Sequence, residues 1–204
     1  MIALALLPLG FVAGRLIAPL AEPYVGDVPA RDRTAVGAVT ALVFGLLGFA
    51  VGPVPVLPAL LYVAMVGTLL AFIDVHVKRL PDAFTLPSYA IVPTLLAAAA
   101  PFTVDGPRHA VHALLGMAAL FLLYAVPAFV KPSWLGLGDV KLAGVLGLCL
   151  GWFGLETWLA AVLLTYLLSG VLNIGIMIVR RTLRREFAYG PYMLAGALGA
   201  AVLA

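Results

Sequence analysis

Nine carboxylates are the whole acidic complement of a 204-residue chain, and their positions decide which chemistry is open to it. Glu22, Asp27 and Asp32 fall between the first two apolar runs, Asp105 and Glu156 in short connections, and Glu186 among arginines. These six read as solvated loop charges. Asp74, Asp82 and Asp139 are different. Asp74 ends the apolar run Leu69-Leu70-Ala71-Phe72-Ile73 and is followed by Val75-His76-Val77-Lys78-Arg79-Leu80-Pro81-Asp82. Asp139 opens another run, in Leu135-Gly136-Leu137-Gly138-Asp139-Val140-Lys141-Leu142. Two carboxylates at one depth on different helices can face each other across a cleft. If close, they cannot both ionise cheaply, so the pair shares a proton and one serves as base while the other serves as acid. That is the chemistry of an aspartic protease, in which the attacking species is an activated water.

Two plainer roles and one rival function stand beside this. Asp139 could be an N-cap of the helix it precedes. Asp74 could pair with Lys78, four residues on, as a helix-end ion pair. Acids in membrane segments also mark the ion paths of proton- or ion-coupled transporters. Gly136 and Gly138 favour a site, because glycines before an acid allow close backbone approach or positive φ, which suits an extended peptide. A Gly-x-Gly-Asp string alone is a weak signal.

The elements that must carry these acids follow from composition. The chain is 64% hydrophobic and 10% charged, against roughly 45–50% and about 25% in a soluble domain. One core cannot bury that surplus, so a soluble enzyme and a disordered chain are excluded. The net charge of +3 does not indicate nucleic acid either, because the basic residues are scattered. The single cysteine, Cys149, cannot form an internal disulfide or a cysteine-based zinc site. The chain is expected to be an all-α, polytopic transmembrane bundle. Its uncharged runs give about eight spans, at 1–20, 34–52, 55–74, 84–102, 109–130, 139–155, 157–179 and 188–204. A crossing takes roughly 20 apolar residues, so the short sixth and eighth leave six or seven as alternatives. The turn between the second and third falls at Gly52-Pro53-Val54-Pro55. The first run has no preceding positive charge and no small-residue cleavage site, and is expected to be a retained span.

Loop charge sets the orientation. Arg31, Arg33, Lys78, Arg79, Lys131, Arg180, Arg181, Arg184 and Arg185, with Arg15 and Lys141, belong to one face; only Arg108 belongs to the other. The positive-inside rule then puts the basic face, with Asp74 and Asp139, at the cytoplasmic side of the cell membrane. The pairs Gly10/Gly14, Gly48/Gly52 and Gly147/Gly151 read as helix-packing positions within the chain. No linker or repeat divides residues 1–204, so one integral membrane domain is expected.

With these residues in place, the chain resembles the type IV prepilin peptidases, membrane aspartic proteases that include the archaeal preflagellin peptidases. Phe72-Ile73-Asp74, then Leu80-Pro81-Asp82-Ala83-Phe84-Thr85-Leu86-Pro87, is similar to the family's first motif: an Asp at a helix end, a Pro-Asp and a Thr-Leu-Pro. Gly136-Leu137-Gly138-Asp139-Val140-Lys141 resembles its second, Gly-x-Gly-Asp followed by lysine. Motifs and spans together cover roughly residues 55–155. The resemblance implies that Asp74 and Asp139 are catalytic, that no cofactor or metal is needed, and that a short basic leader is cut from a prepilin-like membrane precursor on the cytoplasmic side. Gly136 and Gly138 would then admit substrate backbone, Asp82 would position its loop, and Lys141 would either tune the pair or reach outward as an anchor, the second being favoured. Larger bacterial members carry a domain with paired Cys-x-x-Cys motifs after the first span. Here Ala21–Arg33 occupies that place without cysteine, which excludes zinc there and argues against N-methyltransferase activity. The compact form is more like the short peptidases of tight-adherence pili or archaeal-type filaments.

Several other features are set aside. His109 and His112 share a helix face but lack further ligands beyond Asp105, and read as interfacial. His76 is close enough in sequence to Asp74 to modulate it. Pro58-Ala59-Leu60 matches a tripeptide of presenilin-type proteases, but there it follows both aspartates and here it precedes them. Ser88, Ser133 and Ser169 have no histidine partner, and there is no phosphate-binding loop. The arginines at 180–185 could bind anionic lipid, although orientation already explains them.

Overall fold

The computed structural model describes residues 2–130, 135–180 and 188–204, and the side chains of all of these except 176–180. Lys131, Ser133, Arg181, Arg184, Arg185 and Glu186 fall outside the described residues, as does the Arg180 side chain. All regular structure among the described residues is helical. The helices are α1 (Ile2–Ile17), a short α2 (Glu22–Val25) reached through a 3-10 turn, α3 (Ala30–Ala50), α4 (Leu57–Val77), α5 (Asp82–Ala99), α6 (Gly106–Val130), α7 (Leu137–Phe153), α8 (Leu155–Arg180) and α9 (Gly190–Leu203). Each expected span holds one helix. The ends differ by a few residues because helices run past the apolar stretch into their first-turn acids, Asp32 in α3 and Asp82 in α5. Six segments are long and apolar enough to cross a membrane: Ile2–Val25, Ala30–Ala50, Leu57–Val77, Asp82–Phe102, Gly106–Val130 and Leu155–Gly175.

The remaining two helices are the short ones. At 1.5 Å per residue, α9 reaches only roughly 21 Å, less than the approximately 30 Å of a hydrocarbon core. α7 is instead enclosed by protein, with every residue from Leu142 to Trp152 buried. Close approach to it rests on glycines. A Cβ at Gly147 would lie 2.8 Å from Met117 Cα, and one at Gly151 would lie 3.0 Å from the Ala113 and Gly116 Cα atoms, so α6 and α7 meet backbone to backbone. A Cβ at Gly10 would likewise lie 2.8 Å from Ala41 Cα across the α1–α3 contact, and one at Gly48 3.1 Å from Ala3 Cα. Gly52 departs from the expected packing role. It has open space around it and φ +73°, so it ends α3 as a left-handed residue rather than joining a helix contact.

A second, small apolar cluster lies at one end of the bundle. Ala18, Ala21, Val28, Val36, Leu69 and Ile73 pack there, Ile73 with no exposed surface. The connection between α1 and α3 thus folds over the last turns of α4 and fixes the residue next to Asp74. Its own shape is held by Arg33, which pairs with Glu22 at 2.8 Å and donates to the Val28 carbonyl at 2.8 Å.

Candidate active site

α4 ends at Val77, three residues after Asp74, so Asp74 stands in its last turn. Lys78 takes a left-handed conformation (φ 52°, ψ 42°) and its N–H closes on the Asp74 carbonyl at 2.8 Å, after which Pro81 forces an extended entry into α5. The Asp74 side chain is 4% exposed. A carboxylate so buried needs donors, and Oδ2 accepts the Gly190 N–H at 3.0 Å. Gly190 is the first residue of α9, where backbone N–H groups lack helical partners and the helix dipole favours an anion. Gly190 was not anticipated from sequence. The available signal was Tyr189-Gly190-Pro191, since proline near the start of an apolar run marks a helix N-terminus with free N–H groups.

Asp139 is placed by the same physics within its own helix. Gly136, extended at φ −75° and ψ 149°, is the N-cap of α7, and Asp139 stands three residues in. Its Oδ2 accepts the Gly136 N–H at 3.1 Å. The expected alternative of Asp139 as N-cap is therefore corrected: the cap is Gly136, whose extended backbone opens the helix, and the acid answers it from the first turn. Asp139 is half-buried. Leu80 borders both Gly190, beside Asp74, and Gly138, beside Asp139, so the fold brings the two carboxylates, distant in sequence, to one end of the bundle.

The other expected residues join the two motif segments to each other. Lys141 Nζ lies 2.6 Å from Asp82 Oδ1, so it does not reach outward as an anchor: the first residue of α5 and the first turn of α7 are tied by this ion pair. Tyr89 on α5 donates to the Lys141 carbonyl at 2.8 Å, and Gly144 leaves room for the Tyr89 hydroxyl. Gly138 permits a close approach, but its neighbour is the chain itself. A Cβ there would stand 2.8 Å from Leu80 Cβ and 3.0 Å from Leu80 O. Gly136 is more open, its added Cβ meeting Asp139 Oδ2 at 3.2 Å.

Residues outside this end have other partners. His76 is exposed and its Nδ1 donates to the Phe72 carbonyl at 2.8 Å. His109 donates from Nδ1 to the Trp152 carbonyl at 2.6 Å, closing the C-terminal turn of α7 at the far end of the bundle. Among the described residues no three His, Cys, Asp or Glu side chains gather as a metal-holding group. Ser88 hydrogen-bonds Tyr62 and the Phe84 carbonyl, and Ser169 the Tyr166 carbonyl. An apolar groove of about 500 Å³ runs between α3, α4, α7 and α9, and its end nearest the carboxylates is lined by Phe72, His76 and Pro191.

Residues 61–178 match the model of a protein family described as the type IV leader peptidase family. The matched stretch contains Asp74, Asp82, Gly136, Gly138, Asp139 and Lys141. No curated protein and no solved structure compared with the chain gave a match.

Proposed function

The chain belongs to the type IV leader peptidase family, and from that premise we propose that it is a membrane-embedded aspartic endopeptidase that removes the short basic leader of prepilin-like precursors at the cytoplasmic face. The observation that supports this reading is that two carboxylates from separate helices lie at one end of the bundle, flanking Leu80, each supplied with one backbone N–H. Asp74 and Asp139 share a proton. The ionised member takes a proton from water as the water oxygen bonds to the scissile carbonyl carbon. The protonated member gives its proton to that carbonyl's oxygen, and the tetrahedral intermediate then collapses, breaking the C–N bond as the amine is protonated.

The basic face favours the cytoplasmic orientation. Arg15, Arg31, Arg33, Lys78, Arg79 and Lys141 all belong to the connections and helix ends at the end of the bundle that holds Asp74 and Asp139, as the positive-inside rule requires. The groove beside Gly190 is of the kind along which an apolar segment following the scissile bond would lie. Asp82 and Lys141 act as positioning residues, holding the α5 and α7 ends together.

The test is co-expression with a prepilin, following leader loss by mass spectrometry for wild type, Asp74→Asn and Asp139→Asn, with membrane insertion checked for all three. Cleavage by wild type alone is expected. Well-inserted single variants that still cut would remove the two-aspartate mechanism. Ion flux that depends on these acids, without proteolysis, would favour a coupled transporter.

A further inference from the structure

Two glycines beside the acids face one and the same side chain. Leu80, in the connection between α4 and α5, is buried within the main apolar core. A Cβ at Gly138, one residue before Asp139, would stand 2.8 Å from Leu80 Cβ, 3.0 Å from its carbonyl oxygen and 3.4 Å from its Cα. A Cβ at Gly190 would stand 3.4 Å from Leu80 Cδ2 and 3.0 Å from Asp74 Oδ2. The leucine is therefore seated lengthwise. Its backbone and Cβ lie against the first turn of α7, and the tip of its side chain lies against the first residue of α9.

Each of those helix starts is tied to one acid. The Gly190 N–H donates to Asp74 Oδ2 at 3.0 Å, and Asp139 belongs to the first turn of α7, where its Oδ2 accepts the Gly136 N–H at 3.1 Å. Because neither Gly138 nor Gly190 carries a Cβ, Leu80 meets backbone on both sides. Its own width then sets the gap, with no flexible side chain in between to take up slack. Its backbone is confined as well. A residue before proline is restricted to extended conformations, and the left-handed turn at Lys78, two residues earlier, closes on the Asp74 carbonyl.

We propose that Leu80 is a positioning residue that sets the separation of Asp74 and Asp139, a spacer held between the start of α7 and the start of α9. Gly138 and Gly190 are glycines for a shared reason: each makes room for this leucine. The catalytic consequence rests on the peptidase reading, while the effect on geometry stands by itself. Leu80 does not line the apolar groove, so it acts on the acids without touching an apolar segment lying there.

Three substitutions grade the spacer. Leu80→Met keeps its reach, Leu80→Val removes the δ-carbon that meets Gly190, and Leu80→Ala leaves only Cβ. Geometry is read with Asp74→Cys and Asp139→Cys together in a Cys149→Ala background, Cys149 being the one native cysteine. A thiol remains a weak acceptor for the Gly190 and Gly136 N–H groups. Bis-methanethiosulfonate reagents of graded span then report which length bridges the pair in membranes. The valine and alanine variants are expected to favour a shorter span than the Leu80 parent, and the methionine variant the same span. Precursor cleavage, with both aspartates present, is the second readout. For Leu80→Ala, kcat should fall on the order of 100-fold, as for a misplacement of about 1 Å. KM should change little, since the contact acts on the reacting groups and not on substrate binding, and Leu80→Met should keep most of the turnover. A packing role alone would lower the yield of inserted protein and leave the bridging span unchanged. Leu80→Val, nearer to leucine in volume, carries the test if the alanine variant fails to insert. An unshifted or longer span in inserted Leu80→Val overturns the proposal, as does a cysteine pair that no reagent bridges in the Leu80 parent. A shortened span in a protein whose wild type cuts no prepilin sustains the spacer and removes the peptidase reading.

Discussion

Replacing Gly138 by alanine tests whether the two aspartates work only at a fixed separation. A methyl group at this position would stand 2.8 Å from Leu80 Cβ and 3.0 Å from Leu80 O, whereas carbon atoms rest about 3.5–4.0 Å apart. The first turn of α7 and the Leu80 segment must therefore part by about 0.7–1.2 Å. Leu80 has little room to yield, being 8% exposed and followed by Pro81 and the Asp82–Lys141 ion pair. The displacement falls on Asp139, one residue from the new methyl. Overpacking of this kind costs about 1–3 kcal/mol, and alanine returns up to about 1 kcal/mol in helix propensity, so the protein should still fold and insert. Catalysis is the more sensitive quantity, because a misplacement of about 1 Å can lower a rate on the order of 100-fold. The assay is a time course of leader removal from purified prepilin in detergent or nanodiscs. Gly170→Ala, whose Cβ would enter open space on α8, serves as the control and should cut as wild type does. Well-folded Gly138→Ala that cleaves within about threefold of wild type, against the expected loss, would refute the claim that this contact sets the carboxylate geometry.

Four further outcomes are expected. Asp74→Asn and Asp139→Asn should each abolish cleavage while the protein remains inserted, since an amide keeps an acceptor for the Gly190 or Gly136 N–H; residual turnover in either would count against it. Asp82→Ala should lower the unfolding midpoint only slightly, its partly exposed ion pair being worth about 0–1 kcal/mol, and Asp82→Lys with Lys141→Asp should recover activity lost by either change alone. Gly147→Ala, forced against Met117 Cα at 2.8 Å, should destabilise the α6–α7 contact by about 1–3 kcal/mol in thermal unfolding; an unchanged melting profile would show that the helices separate freely. His109→Ala should cost about 0.5–1.5 kcal/mol by leaving the Trp152 carbonyl unmatched while leader removal continues, so lost cleavage in a stable variant would assign that end of the bundle a part in catalysis.

Apolar run length was enough to locate eight helices, six of them long enough to cross a membrane, because lipid permits few alternatives to helices for a buried backbone. The prolines near Gly52 and at position 81 marked two of the turns. Asp74 and Asp139 stood out for a related reason: an acid at the end of an apolar helix is expensive, and two such acids at one depth invite pairing. What the sequence concealed were contacts between segments remote along the chain. Nothing in the composition of α9 announced that Gly190 would face Asp74, and nothing near Lys141 pointed to Asp82 across 59 positions. Glycine was legible as a place of close approach but not as to what approaches, so Gly138 suggested substrate backbone where the structure has Leu80. Gly52 shared the spacing of a packing pair and proved to be a turn residue, because spacing does not reveal where a helix has already ended.

The hydrogen bond between Asp74 and Gly190 also orders events during the protein's birth. The two residues are 116 positions apart, and at about 5–20 residues per second the ribosome needs roughly 6–23 s to make the second after the first. Throughout that interval one carboxylate has been synthesised without the N–H that holds it in the finished fold. That contact is completed only when α9, the last of the described helices to be made, docks against α4.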